Sequence, residues 1–261
     1  MSGTVTYRAE TGVALLALDA PERLNALSLA MWTSLPDLVA QAERDKSVRV
    51  IAVTGAGTKA FSAGADIARF ASERSDAAAA SRYDEIVARA EAALANAEKP
   101  TVALINGLCF GGGMGVALGC DIRIARSSAQ FRLPAARLGI GYAFSGVERL
   151  ARAVGGGNAA HILFTALPFD AAQALAWGLV QQVVVDEDFQ ATSDALLHAI
   201  AENAPLSINA AKAALRELAR PESQRDLRRV EAAVANCYES VDYCEGRAAF
   251  SAKRKAVFKG E

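Results

Sequence analysis

Several features that mark specialised classes of protein are missing from this sequence of 261 residues. No apolar run reaches the roughly 20 residues that a membrane-spanning helix needs. Residues 1–10 show no basic segment leading into an apolar run, so no secretory signal is expected. The formal net charge is −1, from 28 basic and 29 acidic residues. This balance gives no electrostatic case for binding nucleic acid or an anionic membrane.

The few cysteines form no recognisable metal or redox motif. The four of them, at positions 109, 120, 237 and 244, include no CxxC pair and have no histidine at zinc-ligand spacing. A chain of this length buries enough surface to fold without a disulfide or metal. We therefore expect free, mostly buried thiols in a reduced compartment, no metal site and a cytoplasmic location.

Strand-like and helix-like patterns alternate along the chain and predict an α/β fold. The apolar segments 13–20, 48–55 and 101–107 are typical of buried strands in a mostly parallel sheet. Ser28 predicts the N-cap of a helix that runs to about Arg44, with Pro36 as a possible interruption. From about residue 186 the pattern is helical to the end. We predict a core over residues 1–203 and a C-terminal helical module over residues 204–261.

Two glycine-rich segments each follow a predicted strand and open a predicted helix. They are FSAGAD (residues 61–66) and GGGMG (residues 111–115). Glycine lets a ligand approach backbone amides closely, and two amides that converge on one point form an oxyanion hole for an enolate or a tetrahedral oxyanion. Tight turns with no functional role are the alternative. A phosphate cradle is set aside, because the chain has neither GxxxxGK[ST] nor a complete GxGxxG.

Six segments resemble one family. RLNALS (residues 23–28), AFSAGADI (60–67), KPTVALINGLCFGGG (99–113) and CDIRIA (120–125) are similar to motifs of the crotonase superfamily, the enoyl-CoA hydratase/isomerase family. RLARAVG (149–155) and EGRAAFSAKRKAVF (245–258) extend the resemblance over nearly the whole chain. It implies a crotonase-like ββα superhelix with a C-terminal helical module, an acyl-CoA thioester substrate, and a homotrimer or dimer of trimers.

The resemblance also implies roles for individual residues. The thioester oxygen would lie between the backbone amides of Ala65 and Gly112. Coenzyme A enters as part of the substrate, with no covalently bound cofactor. The positions that would contact CoA are Arg23, Ala63, Asp66, Ile67, Phe250 and Lys253. The last two belong to the C-terminal module, which in the family often contacts CoA across a subunit boundary, and the Lys253 ammonium can meet a CoA phosphate.

The sequence departs from the family at the two glutamates that a hydratase uses. Gly115 and Ala135 stand at these positions. Hydration needs one group to deprotonate water and another to protonate the α carbon, and each typically contributes about 10²–10⁴-fold. Neither glycine nor alanine can transfer a proton, and the isomerases depend on a glutamate near the second position. The pattern therefore argues against conventional hydratase or isomerase chemistry.

The segment LGIGYAFSGV (residues 138–147) resembles the methylmalonyl-CoA decarboxylase branch, which has a tyrosine at the position of Tyr142. That branch keeps an acid in the GGG motif, so Gly115 departs from it as well. Loss of CO₂ generates an enolate without a base, and a tyrosine or water can reprotonate it. We predict a decarboxylase-type lyase with Ala65, Gly112 and Tyr142 as catalytic residues.

Three alternatives stay open at this point. Tyr142 can simply pack with its hydroxyl outward. The protein can be a non-catalytic acyl-CoA binding or shuttling protein, since both acids are missing. It can also be a hydratase or isomerase that uses a relocated acid such as Glu148, although an ion pair with the adjacent Arg149 is the simpler role for that residue.

Overall fold

A computed structural model describes residues 3–66, 73 and 75–261, so the predicted CoA contact Ile67 lies outside the described residues. The strands are β1 (Thr4–Glu10), β2 (Val13–Asp19), β3 (Val50–Gly55), β4 (Ala60–Ser62), β5 (Thr101–Ile105), β6 (Leu108–Phe110), β7 (Ile122–Arg126), β8 (Gln130–Arg132), β9 (Phe169–Asp170) and β10 (Gln182–Val184). The α-helices are α1 (Leu29–Arg44), α2 (Ala77–Asn96), α3 (Gly112–Leu118), α4 (Phe144–Thr165), α5 (Ala171–Ala176), α6 (Phe189–Ala201), α7 (Pro205–Leu218), α8 (Leu227–Glu239) and α9 (Val241–Ser251).

The strands form two sheets, in the orders β1-β2-β3-β5-β7-β10 and β4-β6-β8-β9. Strand β1 pairs antiparallel with β2, and β9 pairs antiparallel with β8, whereas the other neighbours are parallel. Central strands such as β5 are buried at every residue, as expected for parallel strands covered on both faces. The predicted mixed α/β fold with a mostly parallel sheet is confirmed.

Helix α1 begins where the sequence predicts. The Ser28 hydroxyl accepts a hydrogen bond from the Met31 N–H at 3.4 Å, which satisfies one of the amides that a helix start leaves without a partner. The helix continues through Pro36 to Arg44. Its buried face includes Trp32 and Leu35, which join the main hydrophobic core and hold α1 under the first sheet.

Helix α7 is attached to the core through a buried lysine. The Lys212 ammonium donates hydrogen bonds to Asp121 Oδ2 at 2.6 Å and to the Lys99 carbonyl at 2.7 Å. Asp121 also accepts a bond from the Thr101 N–H at 2.7 Å, so one carboxylate joins the start of β5 to α7. Within the described part of the chain, no helix combines the length and the apolar character needed to cross a membrane.

Candidate functional site

The two glycine-rich loops approach each other closely at the ends of β4 and β6. A Cβ built on Gly64 would lie 2.9 Å from the Phe110 carbonyl oxygen and 3.2 Å from the Gly112 nitrogen. Gly64 also has φ +95°, and Gly111 has φ +49°, conformations that glycine adopts without steric cost. Contact between the loops therefore requires glycine at position 64, and the backbone conformation of Gly111 favours glycine there.

The backbone amide of Ala65 is oriented by a single parallel bridge to Leu27. The Leu27 N–H donates to the Gly64 carbonyl at 2.7 Å, and the Asp66 N–H donates to the Leu27 carbonyl at 3.1 Å. In such a bridge Leu27 bonds the residues on either side of Ala65, so the N–H of Ala65 itself points away from Leu27. Leu27 therefore leaves the Ala65 amide unused, and Ala65 and Gly112 line one cavity.

Both loops line a cavity of about 140 Å³. The glycine-rich loops contribute Ala63, Gly64, Ala65, Gly111 and Gly112 to its wall. The segment from 133 to 146 contributes Leu133, Pro134, Ala135, Leu138, Ile140, Tyr142 and Gly146. Helices α1 and α2 contribute Trp32, Tyr83, Asp84, Val87, Ala88 and Glu91. The structure thus brings together the three residues predicted to be catalytic, with Ala63 and Ala135 beside them. The Gly112 N–H lies at the first position of α3, where no intrahelical acceptor exists.

Tyr142 faces the cavity and packs against the backbone of α4. A Cβ built on Gly146 would lie 2.6 Å from Cε1 of Tyr142, so the ring occupies space that only a glycine leaves open. Burial raises the pKa of the Tyr142 hydroxyl, the nearby Glu91 carboxylate raises it further, and the Arg149 guanidinium opposes the rise. The phenol is therefore neutral near pH 7 and keeps a proton with which it can donate a hydrogen bond.

Glu91 is a cavity residue that the sequence analysis missed. It lies on α2, its side chain is 8% exposed, and it forms an ion pair with Nη2 of Arg149 from α4. A Cβ built on Gly115 would overlap Oε1 of Glu91. Burial raises the pKa of the Glu91 carboxyl, and the Arg149 charge and hydrogen bond oppose the rise. A carboxylate thus enters from α2 into the space that a side chain at position 115 would fill.

A sequence signal for Glu91 exists in the pattern of α2. Val87, Ala90, Glu91 and Leu94 follow the 3–4 residue spacing of one helix face, and the last three are buried. A glutamate inside an apolar stripe is the informative exception, because buried charges in proteins are almost always paired or functional. Its distance in sequence from the glycine-rich segments hid its relation to Gly115.

Two aromatic residues of the cavity wall, Trp32 and Tyr83, hold each other in place. The indole Nε1 of Trp32 donates a hydrogen bond to the Tyr83 hydroxyl at 3.1 Å, which joins α1 to α2. A Cβ built on Gly112 would lie 2.8 Å from Cζ2 of Trp32. The indole therefore packs closely against Gly112, and both residues line the cavity.

The predicted CoA contacts divide into two groups. Arg23 and Asp66 form an ion pair, with Nη1 and Oδ2 separated by 2.5 Å, next to the cavity residue Ala63. Phe250 and Lys253 lie at the C-terminal end of α9, and Phe250 is 87% exposed. Among the described residues, neither of these two lines the cavity, and their contact with CoA stays a prediction.

The placement of Glu148 argues against its use as a relocated acid. It pairs with Arg152 one helical turn along α4, at 2.9 Å, and its side chain is 41% exposed. The expected pair between Glu148 and the adjacent Arg149 is wrong, because Arg149 binds Glu91 instead. Successive residues on a helix project about 100° apart, so Arg149 faces the core while Glu148 faces outward. Glu148 is not among the described residues of the cavity wall.

The cysteines are free, but only two of them are buried. Cys109 and Cys120 lie in the core, Cys237 is half-buried and Cys244 is exposed. Burial raises the pKa of the Cys109 thiol, which keeps it protonated and unreactive. In the part of the chain that the structure describes, no group of three histidine, cysteine, aspartate or glutamate side chains is arranged to hold a metal ion.

Comparison with known proteins gives consistent matches over the full chain. The family profile described as "Enoyl-CoA hydratase/isomerase" matches residues 8–261. A short-chain-enoyl-CoA hydratase of Clostridium acetobutylicum is 33% identical over 96% of this chain and 95% of its own. A methylmalonyl-CoA decarboxylase of Escherichia coli is 30% identical over 95% of each chain. The crystal structure of an enoyl-CoA hydratase/carnithine racemase from Magnetospirillum magneticum superposes with a TM-score of 0.92, at 35% identity, over 100% of this chain and 97% of its own.

Proposed function

Since the chain belongs to the enoyl-CoA hydratase/isomerase family of the crotonase superfamily, we propose that it decarboxylates a short malonyl-type CoA thioester through a stabilised enolate. Coenzyme A takes part as a portion of the substrate. The observation that carries the proposal is the composition of one cavity: two backbone amides from separate loops and the hydroxyl of Tyr142 share it with Ala135. A reaction that needs no base to form its enolate fits a wall with no acid at position 135.

The proposed step uses the amides to hold negative charge. The bond between the α carbon and the carboxylate breaks, CO₂ leaves, and the electron pair delocalises onto the thioester oxygen. That oxygen accepts hydrogen bonds from the N–H groups of Ala65 and Gly112. Removal of one such donor in other enzymes lowers kcat by about 10²–10³-fold. The enolate then takes up one proton at the α carbon and gives the shortened acyl-CoA.

In this proposal Tyr142 orients the departing carboxylate. Its raised pKa keeps the hydroxyl protonated, so it donates a hydrogen bond to the negatively charged group. A bond of this kind to a charged partner is worth about 1.5–3 kcal/mol. We expect it to hold the carboxylate in the position from which its bond to the α carbon aligns with the thioester π system, a requirement of orbital alignment in a near-attack conformer.

Enoyl-CoA hydration or isomerisation is the second candidate, and Glu91 favours it. A carboxylate on the cavity wall is the group that these reactions need, and several similar proteins carry hydratase names, among them a crotonyl-CoA hydratase of Syntrophomonas wolfei that is 34% identical over 95% of each chain. Hydration with one carboxylate still lacks the second proton-transfer group. The family's isomerases depend on a glutamate near the position of Ala135, so decarboxylation remains the first proposal.

The test is mass spectrometry of the purified protein with malonyl-, methylmalonyl-, crotonyl- and longer enoyl-CoA. Release of CO₂ supports the proposal, and Tyr142→Phe should then lower its rate about 10- to 100-fold, the equivalent of one hydrogen bond to a charged group. Tyr238→Phe is the matched control, because Tyr238 lies on α8 and is 64% exposed. Addition of water to the enoyl thioesters would establish the second candidate instead. Tight binding without any turnover would overturn both and leave an acyl-CoA carrier.

A further inference from the structure

We propose that Glu91 is a catalytic carboxylate of this cavity, which reaches from α2 into the space left by Gly115 and exchanges a proton with the α carbon of a bound acyl-CoA. This inference rests on the proposed binding of an acyl-CoA thioester in the cavity. It does not depend on whether the overall reaction is decarboxylation, hydration or isomerisation.

The first support is a steric relation between Glu91 and Gly115. The helices that carry them, α2 and α3, pack against each other. A side chain at position 115 would overlap Oε1 of Glu91 from its Cβ onward, so the carboxylate can hold its position only while residue 115 is glycine. Glycine at position 115 and the carboxylate of Glu91 therefore depend on each other, because the carboxylate occupies the space of the missing side chain.

The second support is the comparison of Glu91 with other acids near the cavity. Among the described residues of the wall, the carboxylates belong to Asp84 and Glu91. Asp84 is exposed on α2, whereas Glu91 is buried seven residues further along the helix. Glu148 is outside the wall and pairs with Arg152. Glu91 is thus the acid that shares a buried part of the wall with the Ala65 and Gly112 amides.

The third support is the cost of this arrangement. Transfer of a carboxylate and a guanidinium from water into a protein interior costs several kcal/mol for each ion, and apolar residues of similar volume are often equally or more stabilising. The Arg149 side chain is only 18% exposed and meets Glu91 across two helices. A buried pair that opens onto a ligand cavity is therefore better explained by chemistry than by stability.

In the proposed decarboxylation, Glu91 supplies the proton that replaces CO₂ on the α carbon. After CO₂ leaves, the O–H of protonated Glu91 delivers its proton to the α carbon, directly or through one water molecule, and a new C–H bond forms. Glu91 becomes a carboxylate beside Arg149, whose guanidinium stabilises that charge, and it regains a proton from solvent. In the reverse direction the carboxylate removes a proton from the α carbon of a saturated acyl-CoA while the two amides hold the enolate.

The experiment measures the reverse proton transfer, from the α carbon of a saturated acyl-CoA to Glu91. Butyryl-CoA is incubated with the intact protein in deuterated water, and incorporation of deuterium at the α carbon is followed by mass spectrometry. This reaction needs no CO₂ loss and no added water, so it reports on proton transfer at the α carbon separately from the overall reaction. We expect the wild-type protein to catalyse exchange and Glu91→Gln to lower the rate about 10²–10⁴-fold, the usual contribution of a positioned acid or base.

Controls separate proton transfer from folding and binding. Glu148→Gln removes an outward acid of α4 and should leave the exchange rate unchanged, and Asp84→Asn tests the other carboxylate of the wall. Calorimetric affinity for butyryl-CoA should stay within about twofold in Glu91→Gln. If Glu91→Gln does not fold, Glu91→Asp serves, because it keeps the charge near Arg149 but withdraws the carboxylate from the cavity and should also slow exchange.

Clear outcomes would overturn the inference. Exchange at the wild-type rate in Glu91→Gln, exchange abolished by Asp84→Asn instead, or no exchange by the wild-type protein would each remove Glu91 from the chemistry. Failure of the proposed function looks different: exchange would depend on Glu91 while malonyl-type thioesters lose no CO₂. In that case the carboxylate stands and the reaction belongs to the second candidate.

Discussion

At the scale of single residues, the cavity depends on glycine at position 64 because two constraints meet there. Its φ of +95° lies in a region that residues with a side chain enter at a cost of about 1–3 kcal/mol. A Cβ there would also lie 2.9 Å from the Phe110 carbonyl oxygen, closer than a Cβ tolerates, and 3.2 Å from the Gly112 nitrogen, which is a tight contact. Both neighbours are backbone atoms, so neither can turn aside as a flexible side chain would.

We therefore predict that Gly64→Ala separates the two loops and moves the Ala65 and Gly112 amides apart. Loss of one oxyanion donor costs about 10²–10³-fold in kcat, and we expect at least that loss in the exchange assay. Gly57→Ala is the matched control: Gly57 has φ +75°, but the nearest atom to its added Cβ is Cβ of Pro21 at 3.9 Å. It should lower stability and leave exchange intact. Equal exchange rates in the two variants would contradict the proposed role of the loop contact.

The residues of the site differ in how far the sequence could reveal them. Ala65, Gly112 and Tyr142 lie in segments with a family resemblance, and the structure places all three on one cavity. Glu91 lies on a helix whose segment carries no such motif, and its meaning depends on a helix contact with Gly115. The Glu91–Gly115 contact arises from packing between two helices. The sequence of either segment alone does not reveal it.

At the scale of elements, α4 supports two residues of the cavity but is not one regular helix. Its Arg149 pairs with Glu91, and its Gly146 packs against the ring of Tyr142. Gly155 has φ +77° and ψ 158° inside it, so the helix is interrupted after the turns that carry Arg149. The next two residues, Gly156 and Gly157, return to helical geometry, and no atom lies within 4 Å of a Cβ built on any of the three. The interruption therefore follows from backbone conformation and not from crowding.

The three glycines give a prediction with an internal control. Gly155→Ala forces a side chain into a conformation that glycine alone adopts readily, and we expect the free energy of unfolding to fall by about 1–3 kcal/mol. Gly156→Ala sits in open helical geometry and should raise it by about 0.5–1 kcal/mol, because glycine in a helix costs that much relative to alanine. Urea unfolding of both variants checks this. A change of the same sign in both would show that the interruption at Gly155 is not maintained in solution.

Elements were predicted best where a long pattern has a clear end. Helix α1 has a capping serine and a regular buried face, and its predicted bounds match the observed Leu29–Arg44. Strands β1 and β6 were missed, as were the short strands β4, β8 and β9. Most residues of β1 are exposed or half-buried at the sheet edge, which removes the apolar signal, and β6 has three residues that run directly into the glycine segment. Both strands depend on a partner strand rather than on their own composition.

At the scale of the whole molecule, the fold follows from motifs spread along nearly the entire chain, but the reaction does not. Proteins named as a hydratase and as a decarboxylase match this chain at 33% and 30% identity over nearly equal lengths. One scaffold therefore supports several reactions, and the position of a few acids decides between them. Because the family positions 115 and 135 hold no acid here, the chemistry must be established from the cavity itself.

The protonation state in which Glu91 works distinguishes the two candidate reactions. Burial raises the pKa of this carboxyl above its ordinary value of 4.5, against the effect of Arg149. The other titratable groups around this part of the cavity are Tyr142 before α4, Cys109 on β6, and Tyr83 and Asp84 on α2. Burial raises the pKa of Tyr142 and of Cys109, so both stay neutral near pH 7. Glu91 is then the buried carboxyl in this set, and its charge changes at a pH above the ordinary pKa of a glutamate.

A pH profile should therefore have opposite signs for the two reactions. As a proton donor in decarboxylation, Glu91 is active when protonated, so kcat for formation of the shortened acyl-CoA should fall as pH rises through its raised pKa. As a base in hydration or isomerisation it is active when ionised, and the rate should rise over the same interval. Measurement of kcat for product formation from about pH 5 to pH 9 reads the sign for the enzyme–substrate complex. Glu91→Gln should abolish the step and Glu148→Gln should keep it. A step that survives in Glu91→Gln would assign the titration to another group and separate Glu91 from the proton transfer.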